Sequence, residues 1–123
     1  MAIDREHAAA AEAALSEHRS AIREAEGKIR LVADCGQSVA IDSRNALGKP
    51  RSDEEWRVVR RTVADSLGID ARDIRSAEQA LLPVPGCSMS LGRDDRIQLT
   101  VEHLRSPGDD GSTYFRYALD PVF

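Results

Sequence analysis

Aromatic side chains and cysteines are scarce in this sequence. Aromatic residues make up 4% of its 123 residues, so the core must rest on Ala, Val, Leu and Ile, with Trp56 as its anchor. The two cysteines, Cys35 and Cys87, stand far apart and outside any metal-ligand spacing. Their positions favour reduced thiols over a disulfide or a zinc site.

The chain also lacks a long apolar run and an excess of positive charge. Acidic residues interrupt the alanine-rich start, so that stretch matches neither the apolar centre of a signal peptide nor a bilayer span. The formal net charge is −4, and neither half of the chain is basic. A broad electrostatic footprint for nucleic acid or for an anionic membrane is therefore missing. We expect a soluble, cytoplasmic protein without a membrane partner.

Recognisable catalytic motifs are missing as well. The glycines fit no phosphate-binding loop, and no serine stands in the Gly-x-Ser-x-Gly setting of a hydrolase elbow. A catalytic pairing of His103 with Cys87 or Cys35 stays open, because such partners need only be close in space. Such a pairing would make the protein a small enzyme with unrecognised Cys or His chemistry, which is the third of the functions considered for this chain. Apart from it, we expect no catalytic residue, no cofactor and no metal.

The amino-terminal segment is rich in helix formers and carries a narrow apolar stripe. Leu15, Ile22 and Ile29 recur at seven-residue spacing, and each is followed three residues later by another member of the stripe. The resulting seam consists of Leu15, His18, Ile22, Ala25, Ile29 and Val32. The same stripe continues through Val39 and Leu47. This pattern predicts a helical arm or hairpin over residues 1–47; a short strand over residues 28–33 is the competing interpretation.

Two further helices are predicted in the centre of the chain. Ser52 and Glu55 have the spacing of a capping box, and Gly68 can end the helix that they begin. Asp70 can then cap a second helix, which must stop before Pro83.

The carboxy-terminal third changes to an alternating pattern. Ile97, Leu99 and Val101 alternate with polar residues, and a later stretch repeats this alternation with Phe115, Tyr117 and Leu119. Together with residues 88–91, these stretches predict an antiparallel β-meander of about three strands, with the named residues on its inner face. The expected fold is therefore α+β: a long helical segment at residues 1–47, then a helical pair and a sheet at residues 51–123, in a single domain.

Part of the helical pair resembles a helix-turn-helix. Ala64, Gly68, Ile74 and Ala77 have its spacing, and a β-hairpin follows where winged-helix proteins carry their wing. The resemblance, over residues 57–82, implies a DNA-binding regulator with contacts from Arg57, Arg61, Arg72 and Arg75. Acidic residues in the second helix oppose that interpretation, so an ordinary helical hairpin is favoured and nucleic acid is the less favoured partner.

The favoured function is that of a non-enzymatic interaction protein, such as an adaptor, an inhibitor or an assembly subunit. A long thin seam is difficult for a small body to cover, which invites self-association or a partner helix. The expected partner is a protein or a second copy in a homodimer, through the candidate interface residues Leu15, His18, Ile22 and Ile29. The alternative is that the segment folds back and uses the same stripe on its own sheet.

Overall fold

The computed structural model describes residues 5–93, 96–108 and 110–122. Its helices are α1 (Arg5–Cys35), α2 (Asp53–Leu67) and α3 (Ala71–Leu81). Its strands are β1 (Val39–Asp42), β2 (Ser88–Arg93), β3 (Ile97–Arg105) and β4 (Thr113–Pro121). The α+β class is confirmed, and four strands are present in these ranges where about three were predicted.

The first helix ends earlier than the apolar stripe predicts. Gly36 adopts a left-handed φ of 64°, and its amide donates to the Val32 carbonyl at 3.0 Å. Glycine takes this conformation without the penalty that a Cβ imposes, so it stops the helix. The competing strand over residues 28–33 is wrong, because that stretch is helical, and the extension of the helical segment to residue 47 is also wrong.

The fourth strand lies in the stretch that was predicted to be helical. β1 pairs antiparallel with β4, with Ile41 opposite Tyr117, and the sheet order is β1-β4-β3-β2. Lys28 in α1 donates to the Ala40 carbonyl at 3.0 Å, which ties the helix to this edge strand. Val39 lies on the helical stripe and also alternates with Ile41 as in a strand, and only the partner strand β4 selects the extended form.

The central helices begin and end where the sequence predicts. The Ser52 side chain accepts from the Glu55 amide and the Glu55 carboxylate accepts from the Ser52 amide, which completes the capping box. Gly68 ends α2 in the left-handed conformation, and the Asp70 side chain accepts from the Arg72 amide at the start of α3. These caps satisfy backbone groups that a helix cannot satisfy internally.

The sheet has one buried face, and the predicted register is confirmed. Val101 lies opposite Tyr117 and Leu99 opposite Leu119, and all four are fully buried. Gln98, on the opposite parity of β3, is only half-buried. The three helices cover the apolar face, so the core lies between one helical layer and one sheet.

Candidate functional site

A carboxylate lies buried between the central helices and the sheet. Glu78 of α3 is 3% exposed. It accepts hydrogen bonds from Trp56 Nε1 at 3.2 Å, from Arg60 Nε at 2.8 Å and from the Tyr117 hydroxyl at 2.6 Å. The Trp56 and Tyr117 rings stack with their centroids 4.2 Å apart, so the prediction that Trp56 anchors the core between helices and sheet is confirmed. This set of four side chains is the Glu78 cluster.

The contacts of the Glu78 cluster shift the pKa values of Tyr117 and Arg60. Burial, followed by the negative charge and hydrogen bond of Glu78, raises the pKa of Tyr117 far above its ordinary value. Burial acts to lower the pKa of Arg60, but the hydrogen bond and the charge of Glu78 act against it, and the pKa is raised. Tyr117 therefore remains a neutral donor and Arg60 remains a cation, which suits a fixed anchor that joins α2, α3 and β4.

The raised pKa of Tyr117 makes the stability of the protein depend on alkaline pH. Above the ordinary tyrosine pKa of 10.0, the folded chain keeps the phenolic proton while the unfolded chain loses it. The stabilisation is therefore complete below about pH 10 and declines above it by up to about 1.4 kcal/mol per pH unit. We expect Tyr117→Phe to be less stable by about 1 kcal/mol near neutral pH and to lack this alkaline decline.

Urea unfolding followed by Trp56 fluorescence, between about pH 8 and about pH 11, measures this dependence. The control is Tyr114→Phe, which removes the other tyrosine of β4, a side chain that is only half-buried. Identical alkaline slopes for Tyr117→Phe and the unsubstituted protein would contradict the assignment.

His103 also points inward, as its strand parity predicts. Its Nδ1 lies 2.8 Å from the Leu81 carbonyl oxygen, its ring stacks on Phe115, and its Nε2 is buried without a hydrogen-bond partner in the described chain. Cys35 and Cys87 are free thiols on the surface. The His103 amide donates to the Cys87 carbonyl at 3.0 Å, so Cys87 is its neighbour along the backbone, and the catalytic pairing of His103 with a thiol stays a prediction. Within the described ranges, no three His, Cys, Asp or Glu side chains are placed to hold a metal ion.

The predicted seam of α1 divides into a covered part and an uncovered part. Ile29 is buried in the core, together with Ala25 and Val32, so it is not available to a partner. Ile22 and His18 are half-buried, and Leu15 is 54% exposed. The carboxy-terminal half of α1 does fold back on the body, but it packs mainly on α2 and less on the sheet that the fold-back alternative names. The interface prediction is left with the amino-terminal half of α1.

We call residues 5–20 of α1 the arm. From residue 8 onward its described side chains are exposed, except for half-buried His18. At 1.5 Å per residue the arm is roughly 24 Å long. Of the helices in the described ranges, none combines the length and the apolar character that a bilayer span needs. The arm is thus an exposed helical surface of the chain.

The four arginines that the helix-turn-helix resemblance implies as DNA contacts lie around one surface hollow: Arg57, Arg61, Arg72 and Arg75. A surface hollow of about 380 Å³ between α2 and α3, here called the arginine hollow, is lined by Arg57, Arg60, Arg61, Ala71, Arg72 and Arg75. Arg60 differs from the other arginines of the hollow, because its side chain is largely buried against Glu78. The other four lie with their side chains in solvent.

The Glu78 cluster is not predicted from the sequence, where Glu78 is one of the acidic residues of the second helix that oppose DNA binding. A signal was present: Glu78 lies four residues after Ile74 and three before Leu81, both of which face the core. An acidic residue on the apolar stripe of a helix predicts a buried partner of opposite charge.

The fold and these surfaces define an α+β protein in which one helical layer covers one face of an antiparallel sheet and leaves an exposed arm and an arginine hollow. No family model, curated protein or solved structure matches the chain.

Proposed function

We propose that this protein is a non-enzymatic interaction module whose arm binds a second copy of the chain. The observation that supports this proposal is the continuation of the apolar stripe beyond the body of the protein. Ile29 on this stripe is buried, whereas Leu15, two heptads earlier, is 54% exposed. A second arm laid against this stripe would cover the part that the body leaves in water.

The charges that flank Leu15 favour a second copy as the occupant. Glu12, Leu15 and Arg19 line one face of the arm, with Glu12 three residues before Leu15 and Arg19 four residues after it. In an antiparallel pair with its two-fold axis near Leu15, Glu12 of each copy lies opposite Arg19 of the other. Such an interface is self-complementary, as two-fold symmetry requires, and both ion pairs form together.

The association must be weak and reversible. Ile29 is committed to the core, so Leu15 and the exposed part of Ile22 supply most of the apolar area that a dimer can bury. Apolar burial contributes about 25 cal/mol per Å², and much of it offsets the entropy that two molecules lose on association. A weak self-contact is suited to an adaptor or assembly subunit, because a larger partner can displace it.

A charge exchange tests this arrangement. Glu12→Arg and Arg19→Glu each place like charges across the proposed interface, so each should shift the dimer towards monomer. The double variant restores opposite charges and should recover the dimer. Sedimentation equilibrium over a range of micromolar concentrations measures the dissociation constants of the unsubstituted protein and of these three variants. Failure of the double variant to recover association would contradict the antiparallel arrangement.

Leu15→Glu should abolish self-association without lowering the thermal midpoint, because the side chain is exposed and makes no core contact. The matched control is Leu31→Glu, which changes a 40% exposed leucine of the same helix. Sixteen residues separate the two positions, which places them about 160° apart around the helix axis. Equal loss of association in both variants, or a monomer at every concentration of the unsubstituted protein, would contradict the proposal.

A further inference from the structure

We propose that the arginine hollow binds the phosphate backbone of duplex DNA. The surface is distinct from the arm, since it is built from α2 and α3 alone. Arginine suits such a ligand, because its guanidinium stays charged and its planar fork matches phosphate oxygens. The folded chain concentrates five guanidinium groups around one hollow in a protein whose formal net charge is −4.

The exposed arginines keep much of their charge available. The Arg61 side chain forms no hydrogen bond or ion pair with any described residue. Arg57 pairs with Glu54 and Arg72 with Asp70, each at 3.2 Å, and in both pairs the side chains are well exposed. Exposed pairs of this kind contribute little free energy, so a phosphate can replace the local carboxylate.

The Glu78 cluster organises the base of the hollow. The Glu78 carboxylate forms its closest ion pair with Arg60, whose Nε lies 2.8 Å from it, and both side chains are largely buried. Arg75 lies 4.0 Å from the same carboxylate, with its side chain more than half exposed. The charge of Glu78 is thus balanced mainly by Arg60, which leaves Arg75 at the rim for a ligand.

The shape favours an extended polyanion over a single enclosed phosphate group. The exposed arginines come from two helices and surround an open hollow. The Arg72 amide at the start of α3, which could otherwise help to cradle one phosphate, already donates to the Asp70 side chain. Contacts would therefore be made by guanidinium groups to separate phosphates along a backbone, which is the basis of sequence-independent binding.

Acidic residues limit where the duplex can lie. Asp53 and Glu54 in the first turn of α2 line the hollow of about 320 Å³ that adjoins the arginine hollow and shares Arg57, Arg60 and Arg75 with it. These carboxylates repel phosphate, so the backbone should run across Arg61, Arg72 and Arg75, away from the start of α2.

Fluorescence anisotropy with a labelled duplex of about 20 base pairs tests the proposal in the full-length protein. Phosphate contacts from Arg61, Arg72 and Arg75 predict that the logarithm of the binding constant falls with the logarithm of salt concentration with a slope of about −2.7. Affinity should therefore drop about 40-fold between 50 mM and 200 mM salt. Absence of binding at 50 mM salt, or a slope near zero, would overturn the proposal.

Arg61→Gln and Arg72→Gln should each reduce the slope by about 1 and weaken binding several-fold at low salt. The matched control is Arg30→Gln, which makes the same change of charge at an exposed position of α1. Equal weakening by Arg30→Gln would show attraction by overall charge alone and would overturn a site at the hollow. Displacement of the duplex by a phosphopeptide or by polyglutamate at equal charge concentration would assign the hollow to an acidic protein and would also overturn it.

Discussion

Glu78→Ala should lower the free energy of unfolding by about 3–5 kcal/mol, the cost of leaving a buried charge without its partner. The substitution removes the acceptor for Arg60, Trp56 and Tyr117 at once. A domain of this size has a total stability of about 5–15 kcal/mol, so a large share of it depends on this one carboxylate. Urea unfolding followed by circular dichroism measures the loss.

Two further variants keep this prediction testable if Glu78→Ala does not fold. Glu78→Gln keeps an acceptor oxygen but no charge, so it should cost less than Glu78→Ala. The double variant Arg60→Met with Glu78→Leu removes both charges and should recover much of the stability, because nothing ionised is left unpaired. Gln79→Ala, at an exposed position of the same helix, should stay within about 0.5 kcal/mol. A loss below about 1 kcal/mol for Glu78→Ala would contradict the buried pair.

Trp56→Ala should lower the free energy of unfolding by about 3–5 kcal/mol, because it leaves a cavity beneath α2. The ring is buried, stacks on Tyr117 and donates to Glu78, so both packing and a hydrogen bond are lost. Thermal and urea unfolding by circular dichroism provide the measurement, since the fluorescent reporter is absent from this variant.

Trp56→Phe separates the two contributions. It keeps an aromatic ring against Tyr117 but removes the Nε1 donor, so its cost should be well below that of Trp56→Ala. A double-mutant cycle of Trp56→Phe with Glu78→Gln should show a coupling energy of about 0.5 kcal/mol or more, because the two groups are in direct contact. Additive effects would mean that the Nε1 contact contributes nothing measurable to stability.

Most of the local structure follows from short-range rules that can be applied to the sequence. The capping box at Ser52 and Glu55 depends on groups three residues apart, and the stop at Gly68 depends on a single residue's backbone freedom. The inner face of β3 follows from strict alternation, since a one-residue shift would expose every apolar side chain. Each signal lies within a few residues of the structure that it predicts.

The tertiary structure decided features that depend on residues far apart in the chain. β1 is a strand because β4, more than 70 residues later, offers it a ladder of backbone hydrogen bonds. The division of the α1 seam at Ile22 depends on how far the body extends beneath the helix, which no local periodicity encodes.

The contrast between short-range sequence signals and contacts of distant residues also applies to the arm, the arginine hollow and the Glu78 cluster. By itself, the sequence determined that Leu15 shares a helical stripe with Ile29, because helical periodicity is a property of consecutive residues. Only the folded chain decided that Ile29 is buried, that Leu15 is exposed and that Glu78 meets Arg60 inside the protein. Burial and pairing depend on which distant elements pack together, and the free energy of packing is shared by the whole core.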